Sequence, residues 1–395
     1  MGDGIAPGPY FAPRTLPGEV IQARADGTQL EDIRIVTPSA ERVAPPCRHY
    51  RGCGGCQLQH ASDGFVAGWK QDVVRHALAA QGIETAFRPL VTSPPQSRRR
   101  ATLAVRRTKK GALAGFHGRA SGTVVEIPDC LLLDPALLAA LPLAEALAQA
   151  GASRKGEMDV TLTVTRNGLD VLVTGGKPAD TPLRMVLAGL AEQYRLARMA
   201  WDDEVIALRA PPLQVFGAAQ VAPPPGAFLQ ATPQGEAALL AAVTEIVGDA
   251  RRVADLFAGC GTFALPLART AEVHAVEGEA AMTRALDAGW RQAEGLKRVT
   301  TEARDLFRRP LMPDELRRFD AVVIDPPRAG AEAQTAELAR ARVPAIAHVS
   351  CNPVTFARDA RVLIEAGYRL DWVQVVDQFR WSVHIELAAA FRLGD

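Results

Sequence analysis

The chain has 395 residues, of which 48% are hydrophobic and 23% charged, and its formal net charge at pH 7 is +1. This length exceeds the usual limit for one hydrophobic core, so we expect two or three domains. A nearly neutral chain excludes indiscriminate electrostatic binding of polyanions, although basic residues can still be concentrated locally. No apolar run is long enough to span a bilayer and the first residues lack a secretion-signal pattern, so we expect a cytoplasmic protein without membrane association.

Residues 1–45 contain short β-prone pieces separated by Gly, Pro and Asp, which predict a small antiparallel β unit. A loop rich in Pro, Cys and Gly follows over residues 45–59. It contains Cys47, Cys53 and Cys56, whose spacing suits a metal cluster better than a catalytic thiol. Apolar residues at helical spacing then predict a helix over residues 68–81.

The middle of the chain predicts a β-rich domain that extends to residue 222. Alternating runs at 160–165 and 169–173 flank Asn167-Gly168, which predicts a two-residue hairpin turn because both central positions of such a turn need positive φ. An Ala/Leu-rich pattern predicts one helix over 135–149. Proline and glycine at 223–226 mark the boundary with the next domain.

A basic run lies near the start of this middle domain and includes no acidic residue. Its members are Arg98, Arg99, Arg100, Arg106, Arg107, Lys109 and Lys110. Arginine's planar fork suits phosphate groups, so the run could hold a nucleic-acid backbone. A solvated strand pair with charged outer positions explains it equally well, and the sequence leaves both interpretations open.

From residue 223 onward, apolar strands alternate with helical patterns, which predicts a doubly wound α/β sheet. Strands are predicted at 252–257, 272–276, 319–324, 345–350, 370–376 and 384–391, and helices at 262–269, 279–293, 331–341 and 353–366. Because no helix separates the last two strands, they predict a hairpin and an antiparallel edge strand.

The loop after the first of these strands, residues 255–261, contains Gly259 and Gly261 but has Ala264 where a dinucleotide fingerprint has its third glycine. The leading Asp255 would also repel a pyrophosphate. S-adenosylmethionine carries a sulfonium and an ammonium group and no phosphate, so an acidic glycine loop predicts this cofactor. Glu277, at the end of the second strand, is positioned for ribose hydroxyls. Alternatively, Glu277 is a helix-start carboxylate that interacts with the macrodipole.

Two further strand ends carry chemistry. Asp325-Pro326-Pro327 predicts a rigid lip for a flat base, and Cys351 ends the next strand. A thiolate that adds to C6 of uracil turns C5 into a nucleophile for a methyl group. Asn352-Pro353, which opens a helix, predicts a lowered pKa for Cys351, and Glu386 is the candidate base that removes the C5 proton. The alternatives are a small buried hydrophobe for Cys351 and a surface strand residue for Glu386.

Together these motifs resemble the RNA 5-methyluridine methyltransferase family across nearly the whole chain. The resemblance implies a Rossmann-like class I methyltransferase domain over 223–395, an iron–sulfur segment with a β-rich central domain over 46–222, and a shortened, OB-like TRAM unit that binds RNA over 1–45. It also implies a monomer that acts on 23S ribosomal RNA, because the family members with cluster cysteines resemble those enzymes more than the transfer RNA enzyme.

The resemblance also assigns site residues. It implies that Cys47, Cys53, Cys56 and Cys130 ligate a 4Fe–4S cluster, and that Cys351 is the nucleophile and Glu386 the base. The implied S-adenosylmethionine contacts are Gln230, Asp255, Phe257, Gly259, Gly261, Thr262, Glu277 and Asp325.

Three other classes share some of these features. A radical S-adenosylmethionine enzyme would have Cys-x3-Cys-x2-Cys spacing, which is absent here. An RNA cytosine-5 methyltransferase would carry an additional cysteine beside Asp-Pro-Pro, where this chain has Arg328. A non-enzymatic zinc-bearing RNA-binding protein explains the clustered cysteines but leaves Cys351 and the glycine loop without a role.

Overall fold

The structure, a computed structural model, describes residues 2–8, 10–154 and 156–394. Met1 and Pro9 of the predicted N-terminal unit, Lys155 of the predicted central domain and Asp395 of the predicted C-terminal domain lie outside the described residues. Within the described residues, no helix is both long and apolar enough to cross a membrane.

The N-terminal sheet contains β1 (Gly4–Ala6), β2 (Tyr10–Ala12), β3 (Val20–Asp26) and β4 (Gln29–Thr37). β1 pairs with β2 and β3 pairs with β4, both antiparallel as predicted. β2 and β4 run parallel where Phe11 faces Gln29, so the predicted antiparallel unit is wrong at the pairing that joins the two hairpins. Apolar patterning finds strands but does not specify how separate hairpins meet.

The helix α1 (Asp63–Ala79) begins before the predicted residue 68, because the side chain of Ser62 accepts a hydrogen bond from the amide of Phe65 and caps it. One face of α1 is buried and includes Lys70. Two short strands, β5 (Ala86–Phe87) and β6 (Val91–Thr92), follow and pair with the C-terminal sheet.

The central domain is a seven-stranded sheet with helices. Its elements are β7 (Arg100–Arg107), β8 (Ala112–His117), β9 (Val124–Glu126), α2 (Pro135–Ala139), α3 (Leu141–Gly151), β10 (Glu157–Thr165), β11 (Gly168–Thr174), α4 (Thr181–Gln193), β12 (Arg198–Trp201) and β13 (Glu204–Leu208). The strand order is β13-β12-β11-β10-β7-β8-β9. The chain then forms a small hairpin of β14 (Gln214–Phe216) and β15 (Ala219–Val221).

Three predictions for this domain need correction. The single helix predicted over 135–149 is two helices, because Pro142, in the first turn of α3, cannot donate the hydrogen bond that would continue α2. Helix α4 was not predicted. Thr165 pairs with Gly168, so the hairpin turn is Arg166-Asn167, one residue earlier than predicted, and Gly168 takes the positive φ of 123°.

The C-terminal domain has the predicted doubly wound α/β form. Its elements are α5 (Pro233–Val247), β16 (Arg252–Leu256), α6 (Ala264–Leu267), β17 (Glu272–Glu277), α7 (Ala280–Gln292), β18 (Val299–Ala303), α8 (Pro313–Leu316), β19 (Ala321–Ile324), α9 (Glu332–Ala341), β20 (Ala345–Ser350), α10 (Pro353–Glu365), β21 (Tyr368–Asp377) and β22 (Leu387–Leu393). Of these, α5, α8 and β18 were not predicted. Buried apolar residues cover both faces of the sheet and form two cores.

The strand order β18-β17-β16-β19-β20-β22-β21-β5 positions the functional site. β16 to β20 are parallel, and the order reverses between β16 and β19, so a crevice opens at their carboxyl ends. β21 and β22 form the predicted antiparallel hairpin. However, β22 lies between β20 and β21, and the sheet continues beyond β21 with β5, so the predicted antiparallel edge strand is internal. Its buried residues, from Leu387 to Phe391, suit an internal position.

Candidate active site

A cavity of about 450 Å³ opens at the carboxyl ends of β16, β17, β19 and β20. It brings together Cys351, Glu386 and most of the predicted cofactor contacts, although these residues lie far apart in the sequence. The predicted residues that line it are Gln230, Phe257, Gly259, Glu277, Asp325, Cys351 and Glu386. Phe228 and Arg328 also line it, as do Met282, Asp305 and Phe307, to which the sequence assigned no role.

Three predicted cofactor contacts do not line this cavity. Asp255 is fully buried in β16, where a backbone hydrogen bond from Ala264 opposes the effect of burial on the pKa of its carboxyl group. Burial, and next the charge of Asp325, raise the pKa of Asp255 well above its usual value. A Cβ at Gly261 would lie 2.8 Å from Leu265, so this glycine permits close packing. Thr262 is partly exposed but outside the cavity wall.

The glycine loop is shaped by left-handed backbone and by Glu277. Phe257 has φ of 61° and Gly259 has φ of 55°. The two carboxylate oxygens of Glu277 accept hydrogen bonds from the amides of Gly259 and Glu279, each at 3.0 Å. Glu277 is therefore held by the loop and by the start of α7 while it faces the cavity, and its contact with ribose hydroxyls stays a prediction.

On the opposite side of the cavity, two amide side chains connect Asp325 to Glu386 by hydrogen bonds. Gln230 donates to Asp325 at 3.3 Å. Gln378 donates to the side-chain oxygen of Gln230 at 2.6 Å and to Glu386 at 3.1 Å, and it accepts from the amide of Ala231 at 2.8 Å. Gln378 had no role in the sequence interpretation, because its place beside Glu386 depends on the loop between β21 and β22.

The electrostatics around Cys351 contradict one expectation. Cys351 directly precedes α10, which is capped by Asn352, as predicted. Nevertheless, the pKa of the Cys351 thiol is raised to about 11. Burial is the largest cause, and the carboxyl groups of Glu386 and Asp325 together outweigh the opposite effect of Arg328. The predicted lowering is wrong, because the sequence could not reveal that two acids share the cavity.

Both acids are themselves affected by the cavity. Burial raises the pKa of Asp325 to about 7. Burial, and next the charge of Asp325, raise the pKa of Glu386 well above its usual value. Two carboxyl groups in one low-dielectric site disfavour double ionisation, so the pair holds its last proton to a higher pH than separate, exposed carboxyl groups would.

Glu386 lies on an irregular segment and not in a strand. The predicted strand 384–391 begins only at Leu387, so alternation does not relate His384 to Glu386. The ring nitrogen Nδ1 of His384 lies 2.9 Å from Arg328, while Glu386 is 3% exposed and faces the cavity.

The basic run divides into two parts. Arg99 pairs with Glu236 of α5, and Arg100 donates to the carbonyl of Gly226, so both connect the central sheet to the C-terminal domain. In contrast, Arg107, Lys109 and Lys110 are exposed at the turn between β7 and β8. Arg99 and Arg100 therefore fit neither interpretation of the run, and the exposed residues leave both open.

The four predicted cluster cysteines lie near one another. Cys53 and Cys56 pack against the core that contains Cys130, and the electrostatic influence of Cys47 reaches all three. Burial raises the pKa of the Cys56 thiol to about 12. Across the described ranges, no group of three or more His, Cys, Asp or Glu side chains is placed to hold a single metal ion.

This architecture is that of a class I S-adenosylmethionine-dependent methyltransferase. Its defining features are the sheet order, the glycine loop, Glu277 and the Asp325-Pro326-Pro327 motif. Residues 222–392 match the family described as tRNA (uracil-5-)-methyltransferase. The chain is 46% identical over 392 residues to a Mesorhizobium japonicum protein described as an uncharacterized RNA methyltransferase, covering 98% of this chain and 95% of that relative. The chain belongs to the RNA (uracil-5-)-methyltransferase family.

Two further comparisons agree with this assignment. The chain is 33% identical over 405 residues to the 23S rRNA (uracil(1939)-C(5))-methyltransferase RlmD of Shewanella piezotolerans, covering 97% of this chain and 91% of that relative. The structure of the Pyrococcus abyssi tRNA (uracil-54, C5)-methyltransferase with S-adenosyl-L-homocysteine has the same fold, with a TM-score of 0.76, 21% identity, and 98% and 96% of the two chains covered. Family membership excludes the radical, cytosine-5 and non-enzymatic alternatives.

Proposed function

We propose that this protein transfers a methyl group from S-adenosylmethionine to C5 of a uridine in 23S ribosomal RNA. The observation that carries the proposal is that Cys351, Glu386 and Asp325 line one cavity, next to a glycine loop. A thiol, a buried base and a cofactor pocket are the groups that this reaction needs together. The choice of 23S over transfer RNA rests on the likeness to the Shewanella enzyme.

In this mechanism Cys351 forms the first covalent bond. Its sulfur adds to C6 of uracil, the C5–C6 π electrons move onto the C4 carbonyl as an enolate, and the thiol proton leaves. The raised pKa of Cys351 means that this proton must be removed within the cavity, where the neighbouring carboxylates can accept it. S-adenosylmethionine, when bound, supplies an electrophilic methyl group on its sulfonium.

Glu386 acts after the methyl group has reached C5. It takes the C5 proton, the C5–H electrons re-form the C5–C6 double bond, and the bond between C6 and the Cys351 sulfur breaks. Burial at 3% exposure keeps water from this step, and the hydrogen bond from Gln378 fixes the carboxylate. Asp325, which accepts a hydrogen bond from Gln230, raises the pKa of Glu386 and so makes the Glu386 carboxylate a stronger base for the C5 proton.

The cofactor fits the other end of the cavity. Glu277, with its oxygens directed by two backbone amides, would accept hydrogen bonds from the ribose hydroxyls. Phe257 and Phe307, whose ring centroids are 5.5 Å apart, form an apolar wall for the adenine. The volume of about 450 Å³ lies within the usual range for small-molecule sites.

The four cysteines would hold a 4Fe–4S cluster, as the family resemblance implies. Their donors are all thiols, they come from two distant segments, and their charges interact, which supports one shared group. A bound cluster would cross-link these segments. Iron and zinc analysis of anaerobically purified protein, with its visible absorption, tests this: about four iron atoms support the cluster, and a single zinc refutes it.

The domain division proposed from the sequence assigns RNA contacts to the TRAM-like unit over 1–45. To these we add the exposed basic turn with Arg107, Lys109 and Lys110. A target uridine must leave its stack to reach the cavity, at a cost of about a few kcal/mol that backbone contacts can offset. As a monomer, the protein would supply these contacts from one chain.

The experiment that tests the proposed function uses ribosomal RNA from a strain that lacks uridine C5 modification, incubated with the protein and methyl-labelled cofactor. Mapping the labelled nucleotide should find 5-methyluridine at one position of 23S RNA. Label in cytosine, in 16S RNA or in transfer RNA would contradict the proposed substrate.

A further inference from the structure

The segment that carries the proposed base has no regular structure of its own. Residues 378–386 connect β21 to β22 and include Gln378 and Glu386, which are hydrogen-bonded to each other. Trp381, in the middle of the segment, has a φ of 57°, which a bulky side chain rarely adopts. Such a segment keeps a defined geometry only when surrounding groups hold it.

Lys70 of α1 holds this segment near both ends. Its Nζ donates to the Asp377 carboxylate at 2.6 Å, to the Phe379 carbonyl at 3.1 Å and to the His384 carbonyl at 2.9 Å. An ammonium group has three donors, so all of them are used. Phe379 follows Gln378 directly, and His384 lies two residues before Glu386.

The location of Lys70 is costly and is explained by these contacts. Its side chain is 0% exposed, and it lies on the buried face of a helix whose other buried residues are apolar. Removing an ammonium group from water is unfavourable unless it is paired and fully hydrogen-bonded. Burial lowers the pKa of Lys70, and Asp377 opposes this effect. A methionine would fill similar space but would leave the two carbonyls without their donor.

The loop over residues 45–59, which contains Cys47, Cys53 and Cys56, forms hydrogen bonds with the middle of the same segment. The amides of Gln57 and Leu58 donate to the Trp381 carbonyl at 2.8 and 2.9 Å. The base-bearing segment is thus fixed from outside the C-terminal domain by residues that precede the central sheet.

We propose that Lys70 is a positioning residue: it fixes residues 378–386 so that Glu386 reaches the C5 proton. The proposal rests on the proposed function in that Glu386 is taken as the base. Lys70 does not line the cavity, so it acts through Glu386 and Gln378 and not on the RNA or the cofactor.

The test compares Lys70→Met with wild type by amide hydrogen exchange and by turnover of 23S RNA. Exchange should accelerate at 378–386 and at Val376, whose amide donates to the Glu386 carbonyl at 2.8 Å. The kcat should fall about 100-fold, as for a misplaced catalytic group, with KM and cofactor affinity unchanged. The methylated covalent protein–RNA adduct should accumulate, because its resolution needs Glu386.

Arg198→Met is the matched control. Arg198 and Asp170 form a buried ion pair in the central sheet, at 2.8 and 2.6 Å, away from the cavity. This control should lose stability without adduct accumulation. If Lys70→Met does not fold, the double variant Lys70→Met/Asp377→Asn removes the unpaired buried charge and takes its place.

Unchanged exchange at 378–386, or an adduct level no higher than in Arg198→Met, would overturn the role of Lys70. A failure of the proposed function gives a different result. If Glu386 is not the base, Glu386→Gln turns over at the wild-type rate and forms no adduct.

Discussion

Cys351 faces an acidic environment that the proposed reaction must exploit. Its pKa is raised to about 11, so the free protein carries a thiol at neutral pH, and only a small fraction is thiolate. A neutral thiol resists oxidation and alkylation, because the thiolate is the reactive species. The carboxyl groups of Glu386 and Asp325 thus disfavour ionisation of the Cys351 thiol in the free protein, and in the proposed reaction they accept the proton that this thiol loses.

The pH dependence of Cys351 alkylation tests this environment. In the free protein, iodoacetamide labelling should rise through pH 9 and above, since the reactive thiolate forms as pH approaches the raised pKa. Glu386→Gln removes a negative neighbour, so the labelling curve should shift to lower pH. Peptide mass spectrometry distinguishes Cys351 from the other five cysteines. An identical curve in the variant would show that Glu386 does not influence the thiol.

Cys351→Ala should abolish methylation and leave cofactor affinity unchanged, because the sulfur is proposed to attack the base alone. Loss of about 10⁴-fold or more is expected when a nucleophile is removed. Cys260→Ala is the control, since Cys260 is a buried cysteine of the glycine loop that does not line the cavity. Retained turnover in Cys351→Ala would reject the covalent route.

Glu386→Gln should stop the reaction after methyl transfer. An amide cannot take the C5 proton, so the methylated adduct between Cys351 and RNA should accumulate and survive denaturing electrophoresis. The variant should bind cofactor normally. Normal product release with no trapped species would show that another group removes the proton.

At the scale of elements, the start of α10 connects the carboxyl ends of β19 and β20, which carry Asp325 and Cys351. Asn352 caps α10 by accepting from the amide of Val354 at 3.1 Å, and its amide nitrogen donates to the Arg328 carbonyl at 2.8 Å. The strand end with Cys351 is therefore connected to the strand end with Asp325 by one side chain.

Asn352→Ala should lower the free energy of unfolding by about 1 kcal/mol, as for other helix caps, and should also reduce kcat. Asp180→Ala removes the cap of α4, where Asp180 accepts from Leu183 at 2.9 Å away from the cavity, and should cost similar stability at normal kcat. Chemical denaturation and steady-state kinetics measure the two effects. Equal kcat values in both variants would mean that Asn352 only caps its helix.

The elements also indicate what a sequence can predict here. The strands that end at Asp325 and Cys351 were predicted within two residues, because apolar runs bounded by Pro and Asn are local signals. Long-range packing decides that β22 lies inside the sheet and that Asp255 is fully buried. The periodicity of the sequence does not encode such packing. Gln378 was missed for the same reason: its partners are 148 and 8 residues away.

At the scale of the molecule, the central sheet is joined to the C-terminal domain beside the cofactor pocket. Arg99 pairs with Glu236 at the start of α5, and its Nε donates to the Gln230 carbonyl at 3.1 Å. The side chains are 10% and 14% exposed. The position of Gln230 thus depends on contact between two domains.

Arg99→Met should lower the free energy of unfolding by about 3 kcal/mol, because it leaves Glu236 without its partner in a buried site. Arg361→Met, which breaks an exposed helical pair with Glu365, should cost about 0.5 kcal/mol or less. Equilibrium urea unfolding, followed by two spectroscopic signals, measures both. A loss in Arg99→Met no larger than in Arg361→Met would show that this bridge does not couple the domains.

The covalent step can be observed directly with 23S RNA that contains 5-fluorouridine. Fluorine cannot leave C5 as a cation, so the reaction stops after methyl transfer, with the protein attached to the RNA. In the presence of S-adenosylmethionine, we predict a complex stable to denaturation, in which mass spectrometry finds the modified pyrimidine on Cys351. A folded, cofactor-binding protein that forms no such complex, or forms it through another residue, would contradict the account.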